Sequence, residues 1–156
     1  MYRRILVAVD GSRTSDAALR EALELARHAH ARLRIVHVID SPYDYPDVMF
    51  GHVAGDFEDL QHAWQKAGQA MLDQALAVAR EVPFEAEGEL IETAGRRLPD
   101  AIVDEARRWG ADLIVVGTHG RRGLDRLLLG SVAEGISRTS PVSVLLVRGP
   151  SAESRR

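Results

Sequence analysis

The chain has 156 residues, a formal net charge of −3 and no cysteine. That length suits one ordinary domain with its own core, and the lack of thiols excludes disulfides, thiolate metal centres and thiol chemistry. With 46% hydrophobic and 28% charged residues the composition is globular, and a mildly acidic balance with no long Lys/Arg run argues against a nucleic-acid partner.

In chain order, Arg4 to Asp10 (RILVAVD) is an aliphatic run of the kind expected of a strand covered on both faces. GSRTSD then offers a turn with several N-cap residues, and Ala17, Ala18, Leu19, Ala22, Leu23, Leu25 and Ala26 recur at helical spacing to about His30. Leu33 to Ile39 reads as a second strand ending at Asp40. Ser41 to Phe57 has Pro, Gly, Asp and aromatic residues but no sustained period, and reads as a loop, either a plain connection or a carrier of partner specificity.

Leu60, Trp64, Ala67, Met71, Leu72, Ala75, Leu76 and Ala79 mark a long amphipathic helix that tolerates Gly68. Phe84 to Thr93 alternates weakly among glutamates, as an edge strand does. Pro99 suits the first turn of a helix carrying Ile102, Val103, Ala106 and Trp109, with Gly110 as its left-handed stop. Leu113 to Val116 reads as a fourth strand, Ser131 to Thr139 as a short helix and Val142 to Val147 as a fifth strand. Trp64, Met71 and Trp109 fall on apolar stripes and read as core, while His28 and His30, two apart on a helix, read as surface residues.

Strands alternating with helices define an α/β fold: a single doubly wound parallel sheet with helices on both faces. It occupies residues 1–148, and 149–156 reads as a disordered polar tail. No secretory leader is visible and no apolar stretch approaches the roughly 18 residues of a membrane span, so the expectation is a cytoplasmic protein without membrane attachment.

The segment GTHGRRGLDRLLLGSVAEGIS carries the chemistry. Gly117 and Gly120 follow a strand, and Gly130 and Ser131 open a helix, so backbone amides can approach a phosphate chain without side chains in the way. Glycines that only make tight turns would give the same letters. A P-loop is excluded because GxxxxGK[ST] is absent and Lys66, the sole lysine, lies inside the long helix. The first β–α turn, DGSRTS, has one glycine and is not a GxGxxG fingerprint.

Gly117, Gly120, Gly130 and Ser131 match Gly-x2-Gly-x9-Gly-(Ser/Thr), and here the sequence resembles the nucleotide-binding branch of the universal stress protein family. ILVAVDGS, LRIVHVID, ADLIVVGTHGRRGLDRLLLGSVAEGI and PVSVLLVR extend the likeness over nearly the whole chain. The resemblance implies a Rossmann-like sheet of five parallel strands in the order 3-2-1-4-5, with ATP (ADP and AMP as alternatives) at the carboxyl ends of the first and fourth. Ala8 and Asp10 would lie near the nucleotide and Val38 would meet adenine through its backbone. Val116, Gly117, His119 and Gly120 would line the loop, with Gly130, Ser131 and Val132 at the phosphates. The last strand, Val142 to Val147, would pair across the two-fold of a homodimer, which also covers an apolar edge.

Arg121 and Arg122 adjoin the loop and either approach phosphate oxygens or are solvated. Asp10 either helps place Mg²⁺ held by the phosphates or caps the turn into GSRTS. His119 lacks a companion at metal-like spacing and reads as a loop contact to nucleotide. No residue is assigned a catalytic role. The implied function is a dimeric, ATP-binding stress-response or signalling module, the alternatives being a slow ATPase or self-phosphorylating protein, and a partner-binding protein with an empty site.

Overall fold

The computed structural model describes residues 1–41, 56–81, 85–119 and 129–149. The aliphatic runs form five strands: β1 (Arg4–Ala8), β2 (Arg32–Ile39), β3 (Ala86–Glu92), β4 (Leu113–Gly117) and β5 (Ser143–Val147). The helical periods form α1 (Arg13–Ala29), α2 (Asp56–Ala79), α3 (Leu98–Trp109) and α4 (Ser131–Thr139). All pairings are parallel, as the alternation of strands and helices implied, and the order is β3-β2-β1-β4-β5, as the family resemblance implied.

Successive residues of a strand point to opposite faces, so an unbroken apolar run needs cover on both. Ile5, Val7, Leu33, Ile35, Leu113 and Val115 enter a core with α1 and α2. Leu6, Val36, Ile91, Ile114 and Val116 enter a second core with α3 and α4. The chain moves outward from β1 through β2 to β3, then crosses back beyond β1 to β4. The carboxyl ends of β1 and β4 thus flank the point where strand order reverses, where such sheets open a crevice.

Local signals set the helix ends. Ser12 caps α1, its Oγ accepting Ser15 N–H at 3.2 Å. Pro99 sits in the first turn of α3, and Gly110 ends it at φ 75° with its N–H returned to Ala106 and Arg107 carbonyls. His28 and His30 are exposed. Trp109 is buried, though Trp64 and Met71 are only half-buried.

Several boundaries differ from the sequence reading, β2 starting one residue earlier at Arg32 and β4 ending one residue later at Gly117. β1 stops at Ala8 rather than Asp10, because Val9 keeps a single ladder bond, N–H to Val36 O at 2.9 Å. α2 begins at Asp56, inside the expected loop, of which residues 42–55 lie outside the described residues. β3 runs over Ala86–Glu92, shorter than Phe84 to Thr93. β5 starts at Ser143, because the Ser140 hydroxyl folds Val142 into a turn, donating to its carbonyl at 2.8 Å and accepting its N–H at 3.2 Å. Gly68 is required rather than tolerated: a Cβ there would meet Ile39 Cγ2 at 2.6 Å and Leu90 Cδ1 at 2.9 Å, so it lets α2 lie close on β2 and β3. Of the expected tail, residues 150–156 lie outside the described residues.

Candidate functional site

The turn after β1 is a hydroxyl-rich knot. Asp10 Oδ1 accepts Ser12 N–H at 2.9 Å, which is the turn-capping role considered from sequence, and Asp10 N–H donates to Ser15 Oγ at 3.3 Å. Ser15 Oγ–H donates to Ser12 O at 3.0 Å, and the Ser12 and Thr14 hydroxyls share a hydrogen bond of 3.2 Å. Thr14 Oγ–H reaches across the crevice to His119 O, tying the start of α1 to the segment after β4.

β4 delivers Gly117, Thr118 and His119 to the other side. A Cβ at Gly117 would fall 2.9 Å from Thr14 C and 3.0 Å from Thr14 O, so this glycine lets the strand end approach the backbone of α1. Thr118 N–H donates to Val147 O at 2.9 Å, and Gly130 N–H donates to Thr118 O at 2.7 Å, which brings the start of α4 back to the end of β4. Gly130 is the N-cap of α4 at φ −60° and ψ 150°, and among the described residues no side-chain cap bond is made to the amides behind it. That backbone conformation is open to any residue, so the glycine contributes the absence of a side chain in front of those amides.

His119 Nδ1 and Thr118 Oγ1 are 2.9 Å apart, and His119 Nε2 is buried with no hydrogen-bond partner among the described residues. A buried polar nitrogen without a partner among the described residues is a feature that calls for one, and the amides of a helix start favour an anion. Ala8, Val38 and Val132 pack on the α3/α4 core that contains Val116. The fold therefore gathers Ala8, Asp10, Val38, Val116, Gly117, His119, Gly130, Ser131 and Val132 at the carboxyl end of the sheet. Gly120, Arg121 and Arg122 lie outside the described residues.

Sequence reasoning missed Ser12, Thr14, Ser15, Thr118 and His37. The hydroxyls were visible as a cluster in DGSRTS, and His37 as the one polar residue in IVHVI. His37 is 9% exposed and its Nδ1 lies 2.7 Å from Val9 O. Lys66 lines a groove of about 490 Å³ between α2 and β3, away from the crevice. Among the described residues no group of three or more His, Asp or Glu side chains is placed to hold a metal ion, and no helix is long and apolar enough to cross a membrane.

Fold and site together define a doubly wound α/β protein with a glycine-opened cradle at its topological switch point. A sequence model of the Universal stress protein family matches residues 1–148, and the chain belongs to that family. It is 33% identical over 155 residues to Universal stress protein MJ0531 of Methanocaldococcus jannaschii, covering 98% of this chain and 86% of that one. Among solved structures, the protein MJ0577 superposes with a TM-score of 0.80 at 25% identity, covering 96% and 98% of the two chains. A universal stress protein in complex with cAMP gives a TM-score of 0.69 at 27% identity, covering 96% and 99%. The Archaeoglobus fulgidus universal stress protein in complex with dAMP gives 0.63 at 26%, covering 94% and 98%.

Proposed function

We propose that this protein binds an adenine nucleotide, ATP foremost and ADP or AMP as alternatives, across the carboxyl ends of β1 and β4, and acts as a dimeric, nucleotide-dependent stress-response module in the cytoplasm. The observation that carries the reading is the start of α4 at Gly130, drawn to the end of β4 by its N–H bond to Thr118 O, with the buried Nε2 of the next residue, His119, lacking a hydrogen-bond partner among the described residues. The adenine nucleotides bound by the cAMP and dAMP complexes support the ligand class.

In this reading the amides of Ser131 and Val132 and the Ser131 hydroxyl hold phosphate oxygens, His119 Nε2 offers a further contact, and Gly117, Gly120 and Arg121 border the phosphates. The Val38 backbone meets the adenine edge, with Ala8, Asp10 and Val116 around it. Mg²⁺ binds through the phosphates, which supply the charge that a cluster of carboxylates would otherwise provide. Self-phosphorylation is the weaker alternative, because the nearby hydroxyls of Ser12, Thr14 and Ser15 are each already engaged in the turn.

Calorimetric titration with ATP and Mg²⁺, run beside Gly130→Val, tests the site. Wild-type protein is expected to bind in the micromolar range. The variant should bind about tenfold or more weakly while staying folded with only the modest loss in midpoint that valine costs at an N-cap, because valine accepts the Gly130 backbone angles but screens the α4 amides. Equal binding by both places the phosphates elsewhere, and no binding by wild type removes the nucleotide reading.

The dimer rests on β5. Its outer edge has no partner strand among the described residues, and Val144, Leu145 and Val147 are half-buried while Leu146 is 36% exposed. An apolar edge of this kind is an aggregation hazard unless paired, and pairing with a second copy about a two-fold closes it. Light scattering should report a dimer for wild type and, for Leu146→Asp, the 17.2 kDa monomer. A Leu146→Asp protein that stays dimeric would move the interface off this strand.

A further inference from the structure

The β1–β2 ladder begins with Arg32 N–H donating to Arg3 O at 2.9 Å and continues to Val9 N–H donating to Val36 O at 2.9 Å. In a regular parallel ladder the next bond joins Val38 N–H to Val9 O. That bond does not occur among the described residues. Val9 O is met instead by His37 Nδ1 at 2.7 Å. A carbonyl oxygen only accepts, so Nδ1 carries the proton.

The ring is held in this role from the helix side. His37 lies on the sheet face covered by α2, and a Cβ on Gly68 would stand 3.5 Å from His37 Cδ2 as well as in contact with Ile39 and Leu90. Beyond Val9, Asp10 N–H is taken by Ser15 Oγ. The exit of β1 is thus fixed by two side chains rather than by the ladder.

We infer that His37 is a positioning residue for the nucleotide site: by occupying Val9 O with its Nδ1–H, it leaves the Val38 backbone amide for the adenine edge and fixes the path of Val9 into Asp10. This rests on the nucleotide reading given above. His37 touches no ligand in this role. It acts through Val9, and a wrongly placed Val9 carbonyl would compete with the base for the Val38 N–H.

The first test is made on wild-type protein. Nitrogen-15 NMR of the neutral imidazole is expected to show the Nδ1–H tautomer for His37, and the Nε2–H tautomer overturns the inference. The second compares AMP and GMP titrations of wild type, His37→Leu and His37→Asn, with unfolding midpoints recorded for each. The Asn side-chain amide sits near the place of Nδ1–H and can keep the bond to Val9 O. His37→Leu is expected to bind AMP roughly tenfold more weakly and to lose its preference for AMP over GMP, as expected for a lost hydrogen bond in a buried site, and His37→Asn should restore both. Wild type that binds AMP while His37→Leu binds it equally well, with the same preference, overturns this inference alone. Wild type that binds neither nucleotide overturns the nucleotide reading itself.

Discussion

Gly117→Val is expected to lower the unfolding free energy by about 3 kcal/mol, as overpacking against a backbone that cannot retreat does, and to abolish nucleotide binding with it. The added side chain would start 2.9 Å from Thr14 C and 3.0 Å from Thr14 O and Cβ, so the first turn of α1 must move away from the end of β4. That movement breaks the Thr14 hydrogen bond to His119 O and shifts the Asp10–Ser15 knot that α1 shares with β1. Urea unfolding followed by circular dichroism measures the loss, and an unchanged midpoint would mean the β4–α1 contact is looser than described. Because two elements move together, weak binding by this variant would not locate a phosphate. Gly130→Val does, since it changes what stands before the α4 amides at backbone angles valine accepts.

The same pair of glycines marks how far the sequence could be read. Both stand out by spacing, and for both the sequence offers close approach of a phosphate or a tight turn. Gly130 keeps the phosphate reading as a proposal, whereas Gly117 faces Thr14, a contact between segments far apart in sequence that no local pattern encodes. The strands were legible because runs such as ILVAV and LIVV admit burial on both faces and little else. The end of β1 was not, since Val9 is as apolar as Val7 and the ladder stops only because His37, 28 residues on, takes its carbonyl. Asp56, Glu58 and Asp59 are the acidic first turn that marks a helix start, but the Pro- and Gly-rich stretch before them hid it. Gly120 and Arg121 lie outside the described residues, so the part proposed for Gly120 rests on the motif and that for Arg121 on its place next to it.

The charged cluster around Trp109 was invisible for a related reason: its members come from β2, β3 and α3. Glu105 is 3% exposed and accepts from Arg34 on one oxygen and from Arg108 on the other. Arg34 also donates to Glu87 Oε2 at 3.0 Å and lies 5.0 Å over the Trp109 ring, whose Nε1–H donates to Glu87 Oε1 at 2.6 Å. Glu105→Ala therefore partly strands a guanidinium that is only 16% exposed, leaving it Glu87 as a carboxylate partner and an Nε with none among the described residues, and the expected loss is about 1–3 kcal/mol of stability. The double variant Arg34→Met, Glu105→Leu, which removes both charges and keeps the volume apolar, should recover most of that loss, and a double variant as unstable as Glu105→Ala would mean that packing, not the stranded charge, sets the cost. Acid separates the second carboxylate of the cluster. Burial pushes the Glu87 carboxyl up, but hydrogen bonds from Arg34 and Trp109 and the charges of Arg34 and Arg32 outweigh it and hold its pKa below the ordinary 4.5. A carboxylate depressed by folding contributes stability that is complete above its unfolded value and lost as pH falls through its folded one. Wild-type stability should accordingly decline as pH is lowered from about 4.5. Glu87→Gln, which retains an acceptor for Trp109 without the titrating charge, should start lower at neutral pH and decline less over that window; parallel pH profiles for the two proteins would show that the acid sensitivity arises elsewhere.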